Sequence, residues 1–168
     1  MKTLNQIENL FLKINGQKIT NLTPEKECEA YLGYNFTQNT QNFKFRKAKV
    51  TPKKVGQFVT LWKRNSEKQT EPFNETDIFD FFIFVTEQDE KLGFFIFPKA
   101  LLIEQHILTT KLKEGKRGFR LYPTWTTTAN KQAEKTQAWQ TNYFIDFANS
   151  EQNSIEKLKI LLSQKLYS

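Results

Sequence analysis

Apolar residues recur at helical spacing at Ile7, Leu10, Phe11 and Ile14. That period predicts an amphipathic helix over residues 3–14, closed by Asn15-Gly16. Thr23-Pro24-Glu25 reads as the opening of a second helix, with Thr23 as cap and Pro24 in its first turn. This helix would carry Cys28, Tyr31 and Leu32 and end at Gly33. A third amphipathic segment, 154–166, places Leu158, Leu161, Leu162 and Leu166 on one side with Ser154 as its cap. Between these helices the period shortens to that of strands. Phe43–Thr51 and Gln57–Arg64 read as partners across Thr51-Pro52-Lys53-Lys54-Val55-Gly56. The first changes character halfway, because Phe43 and Phe45 share a face with Lys47 and Lys49 while Lys44 and Arg46 share the other with Ala48 and Val50. Either a bulge resets the strand or its far end leaves the core to line a charged groove, and the groove is the preferred reading.

Ser66–Thr76 is polar and reads as a loop. Ile78–Thr86 is apolar almost without break apart from Asp80, as expected of a strand buried on both faces. A turn at Gln88-Asp89-Glu90 leads to a second buried strand, Leu92–Phe97, and a short helix over 99–105 follows Pro98. Further expectations are a strand at 118–122, a helix at 130–139 and a strand at 143–147. The chain shows no repeat, linker or low-complexity stretch, and the order of elements predicts one α+β domain spanning 1–168.

Composition adds limits. A chain of 168 residues with sixteen phenylalanines can build a dense core without staples. Cys28 is the single cysteine, which excludes an internal disulfide, and no Cys/His cluster exists for zinc; a reducing cytoplasm is expected. Asn5, Glu8 and Lys13 interrupt the first apolar segment, so a signal peptide or membrane span is not expected there. His106, beside Ile107 and Leu108, reads as structural.

The net charge of +7 is unevenly spread. Residues 42–64 carry Lys44, Arg46, Lys47, Lys49, Lys53, Lys54, Lys63 and Arg64 and no acid, whereas 67–90 are acidic apart from Lys68. Basic character returns at 111–135, and the polarity predicts one positive face. The segment Gly115–Trp125 packs three cations, two glycines and three aromatic residues into eleven positions. Glycine permits close approach of the backbone to a ligand, arginine forks onto phosphate, and aromatic faces accept bases. The pattern points to nucleic acid. Lys47, Lys49, Lys53, Lys54, Lys63, Arg64, Lys116, Arg117, Arg120, Lys131 and Lys135 are the expected phosphate contacts, and Tyr122, Trp125 and Trp139 the expected stacking rings. The competing reading is a basic hairpin whose aromatic residues belong to the core.

Asp80 raises a second possibility, since an aspartate on one strand and a carboxylate-x-lysine on its neighbour can hold Mg²⁺ for phosphodiester hydrolysis. Asp80 with Lys99 and an acid from the second helix, Glu27 or Glu29, would be the candidates. The position two before Lys99 is Phe97, which cannot ligate a metal, and Lys63 and Lys49 are preceded at that spacing by Leu61 and Lys47. The other reading of Asp80 is a hydrogen-bonded or salt-bridged acid at a strand start.

Several strings together resemble the MepB family of small bacterial proteins. They are Phe45–Lys54, Gly56–Arg64, Asp80–Ile83, Phe95–Lys99, Gly115–Trp125 and Gln132–Trp139, and the likeness covers about residues 25–147. The resemblance implies a central mixed β-sheet flanked by helices, a variant of the PD-(D/E)xK restriction-endonuclease-like fold with its catalytic carboxylates eroded. It also implies nucleic-acid binding rather than cleavage, and an association with multidrug-efflux genes. Taken with the charge pattern, the expected activity is binding of RNA or single-stranded DNA, with low sequence specificity and without cofactor or metal. The alternatives are a Mg²⁺-dependent nuclease and a module that binds an acidic protein partner.

Overall fold

Burial on both faces of two neighbouring strands organises the molecule. The computed structural model describes residues 2–25 and 31–164. Its elements in chain order are helix α1 (Lys2–Asn15) and strands β1 (Thr20–Pro24), β2 (Tyr34–Gln38), β3 (Gln41–Lys47), β4 (Lys49–Val50), β5 (Gln57–Thr60), β6 (Trp62–Arg64) and β7 (Thr70–Pro72). Then come β8 (Phe81–Gln88), β9 (Lys91–Pro98), α2 (Lys99–Glu104), β10 (Gly118–Leu121), α3 (Lys131–Gln140), β11 (Phe144–Asp146) and α4 (Glu151–Ser163). The main sheet runs β1-β2-β3-β8-β9-β11, and two smaller sheets run β10-β5-β4 and β6-β7. Among the described residues only the β3–β8 pairing of the main sheet is parallel, so the sheet is mixed and the fold is α+β, as expected.

The two-residue period sorts the phenylalanines. Phe81, Ile83 and Val85 of β8 and Phe94 and Ile96 of β9 face α1 and α4, meeting Leu4, Ile7, Leu10, Phe11, Leu158 and Leu161. Phe82, Phe84, Phe95 and Phe97 point the other way, towards Val59, Leu61, Leu121 and α2 residues Leu101 and Leu102. Each such ring, taken out of water, contributes about 2–3 kcal/mol, so the paired central strands anchor both layers. Lys13 pairs with Glu151 across the terminal helices.

Several elements differ from expectation. Thr23 and Pro24 lie in β1, paired with Asn35 and Tyr34, and do not open a helix; residues 26–30, with Cys28, Glu27 and Glu29, lie outside the described residues. The 43–51 strand is divided: β3 ends at Lys47, and after Ala48 the chain joins another sheet as β4. The far end leaves the main sheet rather than bulging within it. Ala48 is buried and its N–H donates to Val85 O at 2.9 Å, so the chain steps between two sheets at that residue. The 57–64 segment divides likewise at buried Leu61 into β5 and β6. The loop at 66–76 contains β7, which pairs with β6. Ile78 is 84% exposed, and the buried strand begins at Phe81. The cap of α4 is Ser150, whose hydroxyl accepts from Asn153 N, while Ser154 is buried inside the helix. No helix among the described residues is long and apolar enough to cross a membrane.

Candidate functional site

Helix α3 has a polar interior face. Ala133, Gln137 and Gln140 fall at i, i+4 and i+7, the spacing that brings side chains to one side of a helix. That side grips the backbone of residues 120–126. Gln140 is fully buried; its Oε1 accepts from Tyr122 N at 2.8 Å and its Nε2 donates to Arg120 O at 2.9 Å. Gln137 Nε2 donates to Pro123 O at 2.9 Å and Thr126 O at 2.8 Å. Asn130 caps the helix by accepting from Ala133 N. These bonds hold the Gly115–Trp125 block against the 131–140 block. Between them lies a groove of about 350 Å³ lined by Lys116, Arg120, Tyr122, Gln132, Trp139 and neighbours. Lys131 and Lys135 are exposed on the face of α3 that adjoins the row Gln132, Thr136 and Trp139.

The small sheet continues this surface. Lys49 of β4 and Arg120 of β10 both register with Phe58 of β5, so the three share one face. The opposite parity, Val59 and Leu121, is buried. Phe58 is half-buried and is the phenylalanine that belongs to neither core cluster. The Arg120 guanidinium stands 5.7 Å from its ring centroid. Gly118 makes room for that ring, since a Cβ there would lie 2.5 Å from Phe58 Cζ. A Cβ at Gly115 would strike the Ile107 carbonyl and the Thr109 nitrogen. Protein atoms therefore already fill the space beside both glycines of the block.

The model of the MepB-like family matches residues 25–146. The chain belongs to the MepB-like family. Every described residue named above for the groove and the outer sheet face lies within the matched span. A crystal structure of MepB is similar to this MepB-like chain at 33% identity and a TM-score of 0.78, over 89% of this chain and 99% of that one. A bacterial homing endonuclease aligns over 99% of both chains, but at 14% identity and a TM-score of 0.43 the likeness carries no argument. No curated protein matches the chain.

The other candidate cations of this MepB-like chain are bound into the fold to differing degrees. Lys47 pairs with Glu87 at 2.8 Å, and Lys63 with Asp77 at 2.6 Å and Glu71 at 3.6 Å. Arg64 donates to Lys68 O and lies over Trp62, and Arg117 pairs with Glu114 and donates to Thr70 O. Arg120 ties down the 51–56 loop through Thr51 Oγ1 at 2.9 Å and the carbonyls of Val55 and Gly56. Lys53 and Lys54 are exposed on that loop, and Lys49 is exposed with its ammonium 4.6 Å from the Tyr31 ring. Trp139 packs on Phe97 and Trp125 on Phe144, both with centroids 5.5 Å apart, and Trp125 Nε1 donates to Gln88. Both indoles remain half-buried rather than fully enclosed, so core packing and surface contact share each ring.

Asp80 sits at the start of β8, where its Oδ2 accepts from Asn42 N at 2.7 Å and its own N–H donates to Asn42 O. Lys99 donates to the Asp77 carbonyl and lies over Phe79. Asp80 and Lys99 border one cavity with Glu75 and Asp77. Among the described residues, no three His, Cys, Asp or Glu side chains gather as a metal site. Sequence reasoning missed Phe58, Gln137 and Gln140. The parity of Val59 and Leu61, which puts Phe58 on the opposite face, was the signal for the first.

Proposed function

We propose that this protein binds single-stranded nucleic acid, RNA or DNA, along the outer face of the β10-β5-β4 sheet and into the groove between β10 and α3. The convergence of two basic blocks, held together by Gln137 and Gln140, carries this reading. Lys49, Lys116, Lys131 and Lys135 meet phosphates. Phe58, flanked by Lys49 and Arg120, offers a ring on which an unstacked base can lie, and Tyr122 and Trp139 extend that aromatic surface along the groove. Duplex bases are already stacked and gain little from such a surface, so single strands are favoured. Contacts through phosphates and ring faces read no base edges, so specificity is low. The strand is held without being cut, and no metal takes part. Fluorescence anisotropy with labelled single-stranded RNA, single-stranded DNA and duplex DNA tests the reading. Affinity for single strands that is no higher than for duplex rejects the stacking surface.

A further inference from the structure

A second cluster of charge lies away from the groove, where β3 passes the β6–β7 hairpin. It forms a cleft of about 300 Å³ lined by Glu25, Lys44, Arg46, Trp62, Lys63 and Asp77, with Phe73 at its floor. Arg46 is 2% exposed, and its guanidinium lies 5.2 Å from the Phe73 centroid. It donates to Glu25 Oε2 at 2.6 Å and to the carbonyls of Thr60 and Trp62, while its Nε is buried without a partner among the described residues. Lys44 is largely buried beside it; its ammonium reaches Asn35 Oδ1 at 2.9 Å and the same Glu25 carboxylate at 3.4 Å, and stands 5.0 Å from the Phe73 ring. One carboxylate thus serves two buried cations. Lys63 closes the mouth, about one-third exposed, paired with Asp77 and, more loosely, with Glu71.

From this arrangement we infer that the cleft is an oxyanion site that takes a phosphomonoester, either on a free nucleotide or at the end of a nucleic-acid strand. Charge decides between anion and metal. Glu25 is already held by Arg46 and Lys44, and Asp77 gives one oxygen to Lys63 and the other to Asn74 N at 2.7 Å. A divalent cation would have to displace these partners, whereas an anion adds to Lys44 and Arg46, which share the one Glu25 carboxylate. Arginine cannot shed its proton to relieve the imbalance. Burial holds the Lys44 ammonium below the ordinary lysine pKa, with Glu25 opposing the shift and Arg46 adding to it. A phosphomonoester supplies up to two negative charges and several acceptor oxygens in one group. A cleft of this size holds more than bare phosphate, and Trp62 gives one wall an aromatic surface.

Isothermal titration calorimetry on the full chain tests this. The probes are inorganic phosphate, adenosine monophosphate, adenosine, and one decanucleotide prepared with a 5′-phosphate or with hydroxyl ends. The site predicts at least tenfold tighter binding of the phosphorylated strand than of its hydroxyl twin, or heat with adenosine monophosphate and none with adenosine. Preference confined to the strand assigns the ligand as a strand end, and binding of the free nucleotide assigns it as a small molecule. Lys63→Gln, at the exposed mouth, should bring the phosphate preference to within about twofold of unity, and Lys44→Met should do the same from the buried side. Lys116→Gln combined with Lys131→Gln and Lys135→Gln should weaken both strands equally and leave the ratio unchanged, so the cleft and the groove fail separately. Equal affinity for the two strands, with no heat from phosphate or nucleotide, overturns the inference.

Discussion

Replacing Gln140 with methionine removes both bonds that tie α3 to β10 while filling nearly the same volume. The structure then leaves the Tyr122 N–H and the Arg120 carbonyl without the partners they have at 2.8 and 2.9 Å. Gln140 is 0% exposed, so water cannot replace it without opening the helix. Each buried group left unsatisfied costs about 1–3 kcal/mol, and the isosteric swap adds little for a cavity, so Gln140→Met should lose about 2–6 kcal/mol. Urea unfolding followed by tryptophan fluorescence reads this directly. With a slope of about 2 kcal/mol per molar urea, the midpoint should fall by about 1–3 M. Nucleic-acid affinity, measured where the variant remains folded, should fall as well, because the two basic blocks lose their common frame. A change below about 0.5 kcal/mol with unaltered affinity would show that the glutamine bonds do not hold the groove, and the argument for convergence would fail with them.

Three further outcomes follow from the same geometry. Phe58→Ala should weaken single-strand binding by about 1–3 kcal/mol, roughly 5- to 150-fold, with the salt dependence unchanged, because a stacking ring carries no charge. Lys116→Gln with Lys131→Gln and Lys135→Gln should instead flatten the plot of log affinity against log salt by about 2, at about 0.7 per phosphate contact on a single strand. The Lys44 pKa is lowered in the folded protein, so between that value and 10.5 the unfolded chain binds more protons and stability rises with pH. Relative to a Lys44→Met variant, the wild type should therefore gain stability as pH climbs towards 10.5 in denaturant titrations. Tyr143, whose pKa burial raises, acts in the opposite sense above pH 10 but is common to both proteins.

The unbroken apolar runs of β8 and β9 and the helical spacing of α1 were legible in the sequence, because a strand buried on both faces and a helix packed on one side each leave their own apolar pattern. Charge was harder to read. The basic run at 42–64 and the acidic run at 67–90 suggested a positive face, yet much of that charge meets across the fold, Lys47 with Glu87 and Lys63 with Asp77. Such pairs join residues 40 and 14 positions apart, and composition does not report which lysine meets which acid. Helix α3 was expected over 130–139, but its interior face was not, because glutamine ordinarily signals solvent and here satisfies backbone. The change of character halfway along 43–51 marked a break there but not its kind, since the small alanine at 48 suits a step between sheets as well as a strand interior.

Fluorescence anisotropy of a labelled single-stranded oligonucleotide, titrated with wild type and with the Phe58→Ala protein at several salt concentrations, bears most directly on the proposed surface. Tight binding of single strands over duplex, steep in salt and at least fivefold weaker without the Phe58 ring, is the predicted result. Equal binding of single strand and duplex, indifferent to Phe58, would contradict it.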